Sequence, residues 1–459
     1  MSMRFLQKSK VLDMTEGAIV SKLAAFALPL FAGNMFQQVY NTVDSFFVGN
    51  FLGRDALAAI GASSQFVFTM IGFFQGFSTG AQVVISQAFG AKNIPRLERA
   101  IHTAMLSSLV LSVFMTASGI LISPLVLRLL SVPESVFEPA AAYLQIYFAG
   151  ISFLILYNMA SGILRALGDT RRPLYFLIFS SLVNIALDAV FVLGFKWGIK
   201  GAAWATVISQ GISIIPVLFV LMKSGGVCRL RLRELRIDIL LLKEILRIGL
   251  PGAISSSITA FSNTFIQKYV NAFTASCSAG WAVFVRLDQL MQAVMMSISL
   301  SAMTFVSQNY GAGKIFRIQK GIRAALCLKL ALVGFFSLLL FFFSKSLTAI
   351  FIDDAASVRY GSLFIRSTAP FYLLCATCMF YSQVLRGLGT SLLPTIITFS
   401  GFVVLRQTFL LVTTRLTGSF FVVSLAYPVV WIFTTIAIVF YYRFYWKNLK
   451  QSSLLRQIC

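Results

Sequence analysis

ILRALGDTRRP, at Ile163–Pro173, returns 221 residues later as VLRGLGTSLLP, at Val384–Pro394. The stretch ISQAFGAKN, which begins at Ile85, returns at the same spacing as VSQNYGAGK, which begins at Val306. Two long matches in the same order and at one offset are improbable by chance. The chain is therefore an internal duplication, and we expect both halves to adopt the same fold.

A third match, in the first apolar stretch of each half, pairs two prolines. LPLFAGN contains Pro29 and LPGAISS contains Pro251, one residue away from the common offset. A proline inside a helix removes a backbone hydrogen bond and weakens the helix locally. We expect each of these helices to be a candidate bending element, with Pro29 as the bending point of the first half. A permanent kink is the alternative interpretation.

The composition is typical of a membrane protein. Hydrophobic residues make up 58% of the chain and charged residues 12%, with a mean hydropathy of +0.85. A soluble domain carries about twice that charged fraction. Apolar runs of about twenty residues recur along the chain, and each is long enough to cross a hydrocarbon core as a helix. The net charge of +23 is spread over alternate connections, which argues against a nucleic-acid-binding protein.

We predict an all-α integral membrane protein with twelve transmembrane helices in two lobes of six. The predicted spans cover residues 19–47, 56–86, 101–126, 140–163, 174–193, 202–222, 248–270, 280–306, 324–343, 363–384, 392–413 and 420–441. Six spans return the chain to the side where it started, so a pseudo-two-fold axis along the membrane normal should relate the lobes. The predicted domains are an N-terminal lobe at 1–222, a cytoplasmic linker at 223–247 and a C-terminal lobe at 248–459.

Lysine and arginine set the predicted orientation. They are concentrated at both termini and in the even-numbered connections between spans, and they are sparse in the odd-numbered connections. By the positive-inside rule, both termini and the linker should lie in the cytoplasm. Leucines alternate with arginines in the linker, which is typical of either a short amphipathic helix on the inner membrane surface or a solvated connection.

Three aspartates, Asp44, Asp188 and Asp288, fall within predicted spans. A charge at bilayer depth costs about 2.5–3.5 kcal/mol on insertion scales, so its presence there indicates a function. Burial disfavours the ionised form, and such a carboxyl group should therefore bind a proton or a cation readily. Asp288, in the second half, could be a counter-ion for a substrate or a member of a structural ion pair. The other charged residues within second-half spans are Arg286, Lys329 and Arg406.

Polar side chains accompany the first two aspartates at helical spacing. They are Gln37, Tyr40, Asn41 and Asp44 in the first span, Asn158 in the fourth, Asn184 and Asp188 in the fifth, and Thr206 and Gln210 in the sixth. Intervals of four and seven residues place them on common helix faces. Oxygen ligands without thiolates or imidazoles suit Na⁺, or a proton carried by a carboxylate. The alternative is that these groups only hydrogen-bond the helices together.

The second half lacks this acidic set. At the 221-residue offset, Leu405 replaces Asn184 and Phe409 replaces Asp188. The scaffold is duplicated, but the acidic site occurs once. We infer that the first half couples the ion and that the second half supplies mainly surface for the substrate and for lobe movement.

With these motifs in hand, the chain resembles the multidrug and toxic compound extrusion (MATE) family over nearly its whole length. The resemblance rests on LPLFAGNMFQQVYNTVDSFFVG and LGRDALAAIG in the first two spans, SQAFGAKN before the third, SGILRALGDTRRP between the fourth and fifth, NIALD in the fifth and GAAWAT at the sixth. It implies a twelve-helix, two-lobed antiporter of the bacterial plasma membrane. Such an antiporter expels organic, mostly cationic drugs in exchange for Na⁺ or H⁺.

The resemblance also implies a cation site. In one branch of the family this site uses an Asp of the first helix, an Asn and an Asp of the fifth and a Thr of the sixth, which here are Asp44, Asn184, Asp188 and Thr206. Any bound Na⁺ would lie on those four residues. The supporting polar shell or substrate site would contain Gln37, Tyr40, Asn41, Asn158, Gln210 and Asp288. Another branch carries acidic residues in the seventh and tenth helices, which this chain lacks.

The working hypothesis is alternating access, with a small drug and the lipid bilayer as partners. We expect no cofactor besides the coupling ion, no nucleic acid and a monomeric state. The main alternative is a flippase for lipid-linked saccharides, which has a related architecture and which the second-half cations would suit. A single histidine, His102, and no nucleophile–base pair argue against an enzyme. A duplication with one charged site argues against a passive channel.

Overall fold

The computed structural model describes residues 12–129, 132–223, 229–417 and 419–458. Some helical residues within these ranges have side chains that are not described, namely 44–46, 48–50, 53–59, 62, 64–65, 259–261, 263–264, 417 and 452–458. Every regular element in the described part is helical, and that part contains no β-strand.

The described residues of the first half form seven α-helices and one π-helical turn. They are α1 (Ile19–Phe51), α2 (Gly53–Gly90), α3 (Ile94–Leu129), α4 (Glu134–Ala149), α5 (Ile151–Ala166), α6 (Arg171–Asp188), the π turn Ala189–Gly194 and α7 (Gly198–Lys223).

The described residues of the second half repeat this plan with more breaks. The α-helices are α8 (Ile239–Asn271), α9 (Ala275–Gly311), α10 (Ile315–Phe342), α11 (Ser344–Ala349), α12 (Ala355–Thr368), α13 (Tyr372–Gly387), α14 (Leu392–Phe399), α15 (Arg406–Thr417) and α16 (Phe420–Ile458). A 3₁₀ turn at Ala369–Phe371 separates α12 from α13, and a π turn at Ser400–Leu405 separates α14 from α15.

All twelve predicted spans fall on these helices. Ten are long and apolar enough to cross a membrane, and α4 with α5 forms an eleventh as a bent pair. The remaining predicted span falls on α8, whose 33 residues would extend about 50 Å, more than the thickness of a hydrocarbon core. The prediction of a twelve-helix, all-α membrane protein is therefore confirmed.

Two spans that were predicted as continuous contain breaks. α4 and α5 meet at an angle of 46°, next to Gly150. A Cβ atom on Gly150 would lie 2.4 Å from Cγ1 of Val207 in α7, so this close approach requires glycine. In the tenth span, Pro370 starts the 3₁₀ turn Ala369–Phe371, because proline supplies no backbone N–H for a continuous α-helix.

The fifth span of each half passes through a π turn next to a charged residue. Ala189–Gly194 directly follows Asp188, and Ser400–Leu405 directly precedes Arg406. A π turn inserts an extra residue into the helical repeat, which changes the face that later side chains occupy, and such turns are frequent at functional sites.

The chain forms two compact units. The first comprises residues 1–13 and 28–253, and the second comprises residues 14–27 and 254–459. α1 and α8 are therefore each divided between the units, α1 after Ala27 and α8 after Ala253. Pro29 and Pro251 lie two residues from these divisions. The first turns of α1 thus belong to the second unit.

The segment that leads into α1 is held by the second copy of the repeated motif. The Met14 N–H donates to Gln308 Oε1 (3.0 Å), and Asn309 Nδ2 donates to the Met14 carbonyl (3.1 Å). The Arg317 guanidinium donates to the Met14 carbonyl (3.2 Å) and to the Gly17 carbonyl (2.9 Å). VSQNYGAGK therefore serves as an anchor for the chain that enters the first helix.

The first copy of the motif leads to a matching anchor within the first unit. Arg96, which lies 221 residues before Arg317, forms an ion pair of 2.5 Å with Glu244 of α8. Arg99 forms a second ion pair of 3.0 Å with Asp238, and the Asp238 carboxylate accepts from N–H groups at the start of α8. Arg96 and Arg317 thus each contact the chain near the start of the first helix of one half, through different partners.

Part of the predicted linker, 239–247, belongs to α8, and little regular structure occurs in 229–238. In 229–238 the only helical element is the 3₁₀ turn Leu232–Glu234, and α8 begins at Ile239. Of the two predicted linker structures, the described residues fit the connection and not the amphipathic helix. The Arg231 N–H donates to His102 Nε2 (3.1 Å), so this connection rests on α3.

The sharpest turn of each repeat is the same in both halves. Gly168 has a φ of +93° and Gly389 has a φ of +90°, a region that favours glycine. A Cβ atom on Gly168 would also lie 2.3 Å from the Leu12 carbonyl oxygen. Backbone conformation thus explains why Gly168 occurs in ILRALGDTRRP and Gly389 in VLRGLGTSLLP.

Candidate functional site

A polar cavity of about 510 Å³ opens among the helices of the first unit. On α1, Gln37, Tyr40 and Asn41 line it, because residues three and four apart share one helix face. The other predicted residues that line the cavity are Asn158 on α5, Asn184 on α6, and Thr206 and Gln210 on α7. Seven of the predicted polar residues therefore meet in one space.

Asn184 is the most enclosed of these groups, with 1% of its surface exposed. Tyr40 Oη donates a hydrogen bond of 2.5 Å to its Oδ1 atom, which joins α1 to α6. Its Nδ2 atom is buried and has no hydrogen-bond partner among the described side chains and backbone groups. A buried donor of this kind costs about 1–3 kcal/mol if left unpaired. A ligand oxygen that accepted from Nδ2 would therefore be bound favourably.

Asp188 lies one helical turn after Asn184 and is 3% exposed. It is the last residue of α6, immediately before the π turn. It does not line the cavity, although Asn184 does. The structure thus places Asp188 in the protein interior, away from lipid, and behind the cavity wall.

Asp44 belongs to α1, three residues beyond Asn41, but its side chain lies outside the described part. The pairing of Asp44 with Asp188 consequently stays a prediction. Among the residues whose side chains are described, no group of three or more His, Cys, Asp or Glu could hold a metal ion. A Na⁺ site here would depend on hydroxyl and amide oxygens beside the carboxylates.

Hydroxyl and amide groups around the cavity donate hydrogen bonds to backbone carbonyls. Thr206 Oγ1 donates to the Ala202 carbonyl (3.0 Å), and Asn158 Nδ2 donates to the Leu154 carbonyl (2.9 Å). In both residues one oxygen, Thr206 Oγ1 or Asn158 Oδ1, can still accept or coordinate. Ser180 Oγ donates to a backbone carbonyl of α7 (2.9 Å) and fixes α6 against that helix.

The sequence prediction missed the aromatic wall of the cavity. Tyr143, Tyr147, Tyr157 and Phe68 all line it, and the rings of Tyr143 and Tyr147 stack with their centroids 6.4 Å apart. The interval of four residues between these two tyrosines was the sequence feature that could have predicted this wall. Aromatic faces attract organic cations, and none of the residues that the structure places in the wall is charged.

The predicted charges of the second half belong to the second unit. Asp288 accepts from Tyr372 Oη (2.7 Å) and from Gln292 Nε2 (3.5 Å). The Arg406 guanidinium donates to Ser262 Oγ (2.9 Å). Neither Arg286 nor Asp288 lines the cavity, so a direct substrate role for Asp288 remains a prediction.

Comparison with known proteins identifies the family. Two copies of the MatE family model match the chain, at residues 29–190 and 251–412, and together they cover more than half of it. The chain belongs to the MATE family of multidrug efflux transporters. The two matches begin at Pro29 and Pro251, as the duplication in the sequence requires.

Individual relatives match most of the chain or nearly all of it. Probable multidrug resistance protein YpnP of Bacillus subtilis is 30% identical over 442 residues, which is 96% of this chain and 99% of that protein. The FAD transporter of Shewanella oneidensis is 28% identical over 359 residues, 75% of this chain and 76% of that one. A solved outward-facing multidrug resistance MATE transporter of the MOP superfamily has a TM-score of 0.90 and 21% identity, covering 96% and 99% of the two chains. This likeness shows the MATE fold.

Proposed function

We propose that this protein is a secondary antiporter that exports organic, mostly cationic compounds in exchange for Na⁺ or H⁺ by alternating access. The observation that supports it most is the cavity in the first unit, where seven predicted polar residues meet beside the buried Asp188. Membership of the MATE family supports export of small molecules.

The cavity wall favours a cation or a neutral compound over an anion. Its tyrosines and Phe68 offer aromatic faces, and its described residues include no lysine or arginine. FAD, which the Shewanella relative is named for, carries a negatively charged pyrophosphate that normally binds arginine, lysine or helix N-termini. We therefore propose a planar organic cation such as ethidium as the test substrate.

The coupling step is proposed to be neutralisation of buried carboxylates. A Na⁺ ion or a proton that enters from outside binds at Asp44 and Asp188, with Asn184 and Thr206 as neutral oxygen donors. Neutralisation removes the cost of the buried charge, which lets α1 bend at Pro29 and release the drug outward. One positive charge that moves inward through 100 mV supplies about 2.3 kcal/mol, enough for a tens-fold concentration gradient of a neutral drug.

The test is ethidium transport in proteoliposomes, with the Na⁺ gradient and the pH gradient imposed separately. We expect uphill transport with at least one gradient, and loss of that transport in Asp188→Asn and in Asp44→Asn. Asp353→Asn is the matched control, because Asp353 is exposed in a connection and undergoes the same chemical change. Full gradient-driven transport by both core variants would contradict the proposed coupling, and downhill leakage alone would indicate a channel.

We also propose that the protein lies in a bacterial plasma membrane with both termini in the cytoplasm. The support is the concentration of lysine and arginine at the termini and in even-numbered connections. Single cysteines at Lys92 and at Lys196 would then react from opposite sides of intact cells. The Lys196 site should be labelled by a membrane-impermeant maleimide and the Lys92 site should not, in a background without the native cysteines.

A further inference from the structure

A second pocket, of about 680 Å³, lies in the second unit around the first turns of α12. Three cationic side chains line it: Lys345 on α11, and Arg359 and Arg366 on α12. The two arginines are seven residues apart, so they occupy one helix face. The transport mechanism proposed above uses none of the three.

No carboxylate among the described residues forms an ion pair with this cluster. Neither acidic residue of the preceding connection lines the pocket. Asp354 accepts instead from the Ser357 N–H (2.9 Å) and hydroxyl (2.6 Å) at the start of α12. Arg366 Nε donates to Ser344 Oγ (2.8 Å), a neutral partner. The pocket therefore carries an excess of positive charge.

The position of the arginines relative to the membrane boundary indicates which kind of anion the pocket would bind. The sequence predicts a span at 363–384, and the helical segment that is apolar enough to cross a membrane begins at Ala355. Arg359 and Arg366 therefore lie in the first three turns of this span, near the membrane boundary. Both are exposed on the molecular surface. An arginine that faces lipid at this depth is costly unless it reaches a headgroup phosphate. The pair thus spans the level at which lipid phosphates lie.

The remaining wall is mostly apolar, with two serines, Ser362 and Ser367. Leu363 lies between the two arginines on α12, and Ala355, Val358 and Phe421 also line the pocket, with Phe421 48% exposed. A free phosphate ion would gain nothing from the apolar side chains, whereas an acyl chain would pack on them. Cationic and apolar groups side by side match a phosphate that carries a hydrocarbon tail.

We propose that this pocket binds the headgroup of an anionic phospholipid, with its phosphate between Arg359, Arg366 and Lys345 and an acyl chain along Leu363 and Phe421. The proposal depends on the predicted membrane boundary, and it does not depend on the exported substrate or on the coupling ion. A saturable lipid site would stabilise the folded protein in proportion to its occupancy.

The experiment measures the melting temperature of the full-length protein in neutral detergent during titration with phosphatidylglycerol, phosphatidylcholine or inorganic phosphate. We expect a saturable rise with phosphatidylglycerol only. Removal of one pocket charge should weaken apparent affinity roughly fivefold, and Arg359→Gln with Arg366→Gln should weaken it roughly twentyfold. Arg128→Gln with Arg415→Gln is the matched control, because both arginines are exposed near helix ends.

Three results would overturn the proposal. The first is an equal response to phosphatidylcholine, and the second is unchanged affinity in the double pocket variant. The third is an equal response to inorganic phosphate, which would indicate a free-anion site. If the double variant does not fold, Arg359→Gln alone serves, because it leaves the hydrogen bond of Arg366 to Ser344 intact.

Discussion

Tyr40 and Asn184 are joined across the cavity wall by a hydrogen bond of 2.5 Å from the phenol to the amide oxygen. Tyr40→Phe removes the donor and leaves the buried amide oxygen unpaired, at a cost of about 1 kcal/mol. We expect roughly fivefold slower ethidium transport at normal expression. Tyr175→Phe is the control, since Tyr175 is 61% exposed. Equal transport rates for the two variants would show that transport does not depend on this hydrogen bond.

A substitution at Pro29 should lower the turnover of transport more than the affinity for substrate. It lies inside α1, two residues after the point where that helix passes from one unit to the other. We expect Pro29→Ala to retain ethidium affinity and to lower turnover several-fold, because an added backbone hydrogen bond stiffens the helix. Pro124→Ala, inside α3 and within one unit, should change turnover little. A normal turnover in Pro29→Ala would support a permanent kink.

Gly150 should be intolerant of a side chain. Gly150→Ala would place a methyl group 2.4 Å from Val207 Cγ1, and overpacking of this kind costs about 1–3 kcal/mol. We expect a lower melting temperature, with partial recovery in the double variant Gly150→Ala, Val207→Ala. Gly194→Ala is the control, because a Cβ there would meet nothing within 4 Å. Additive effects of the two substitutions would contradict the proposed contact.

Arg317 should stabilise the second unit through the chain that leads into α1. Arg317→Gln removes charge-assisted hydrogen bonds to the carbonyls of Met14 and Gly17, each worth about 1.5–3 kcal/mol. We expect a lower melting temperature and faster proteolysis near residue 14. Arg323→Gln, an exposed change on the same helix, should have neither effect. Unchanged proteolysis would show that other contacts suffice.

Asp354 should make stability depend on pH. Hydrogen bonds from the Ser357 side chain and N–H hold the pKa of Asp354 below its ordinary value. Such a group stabilises the fold above its unfolded pKa, about 3.9, and this stabilisation disappears as the pH falls through the folded value. The melting temperatures of wild type and Asp354→Ala should differ at neutral pH and converge in acid. With Asp353→Ala the difference should be absent throughout, and a gap that persists in strong acid would refute the assignment.

Periodicity was sufficient to predict most of the fold and much of the cavity. Apolar runs predict the spans because the bilayer fixes their length, and the interval of four residues correctly placed Thr206 and Gln210 on one helix face, which lines the cavity. The bend at Gly150 could not be predicted, because it depends on how closely α7 approaches. The π turn after Asp188 was equally hidden, since hydropathy does not distinguish it from an α-helix.

The way the chain divides into two compact units also could not be predicted from the sequence. Apolar spans suggest a clean split at the linker, but the segment 14–27 belongs to the second compact unit. That assignment depends on polar contacts such as Met14 with Gln308, which are 294 residues apart. Single-sequence patterns carry no information about pairs at such separation. The repeated motif predicted the duplication but not the contacts that the motif makes.

The distance between Met14 and its anchor has a consequence for biosynthesis. When residues 14–27 leave the ribosome, Ser301, Gln308 and Arg317 have not yet been translated. The segment must therefore wait, without its final hydrogen-bond partners, while nearly three hundred further residues are made and inserted. A nascent chain stalled at the linker would hold a first lobe in which the first turns of α1 lack their final hydrogen-bond partners, a state that quality-control proteases and insertion chaperones could recognise.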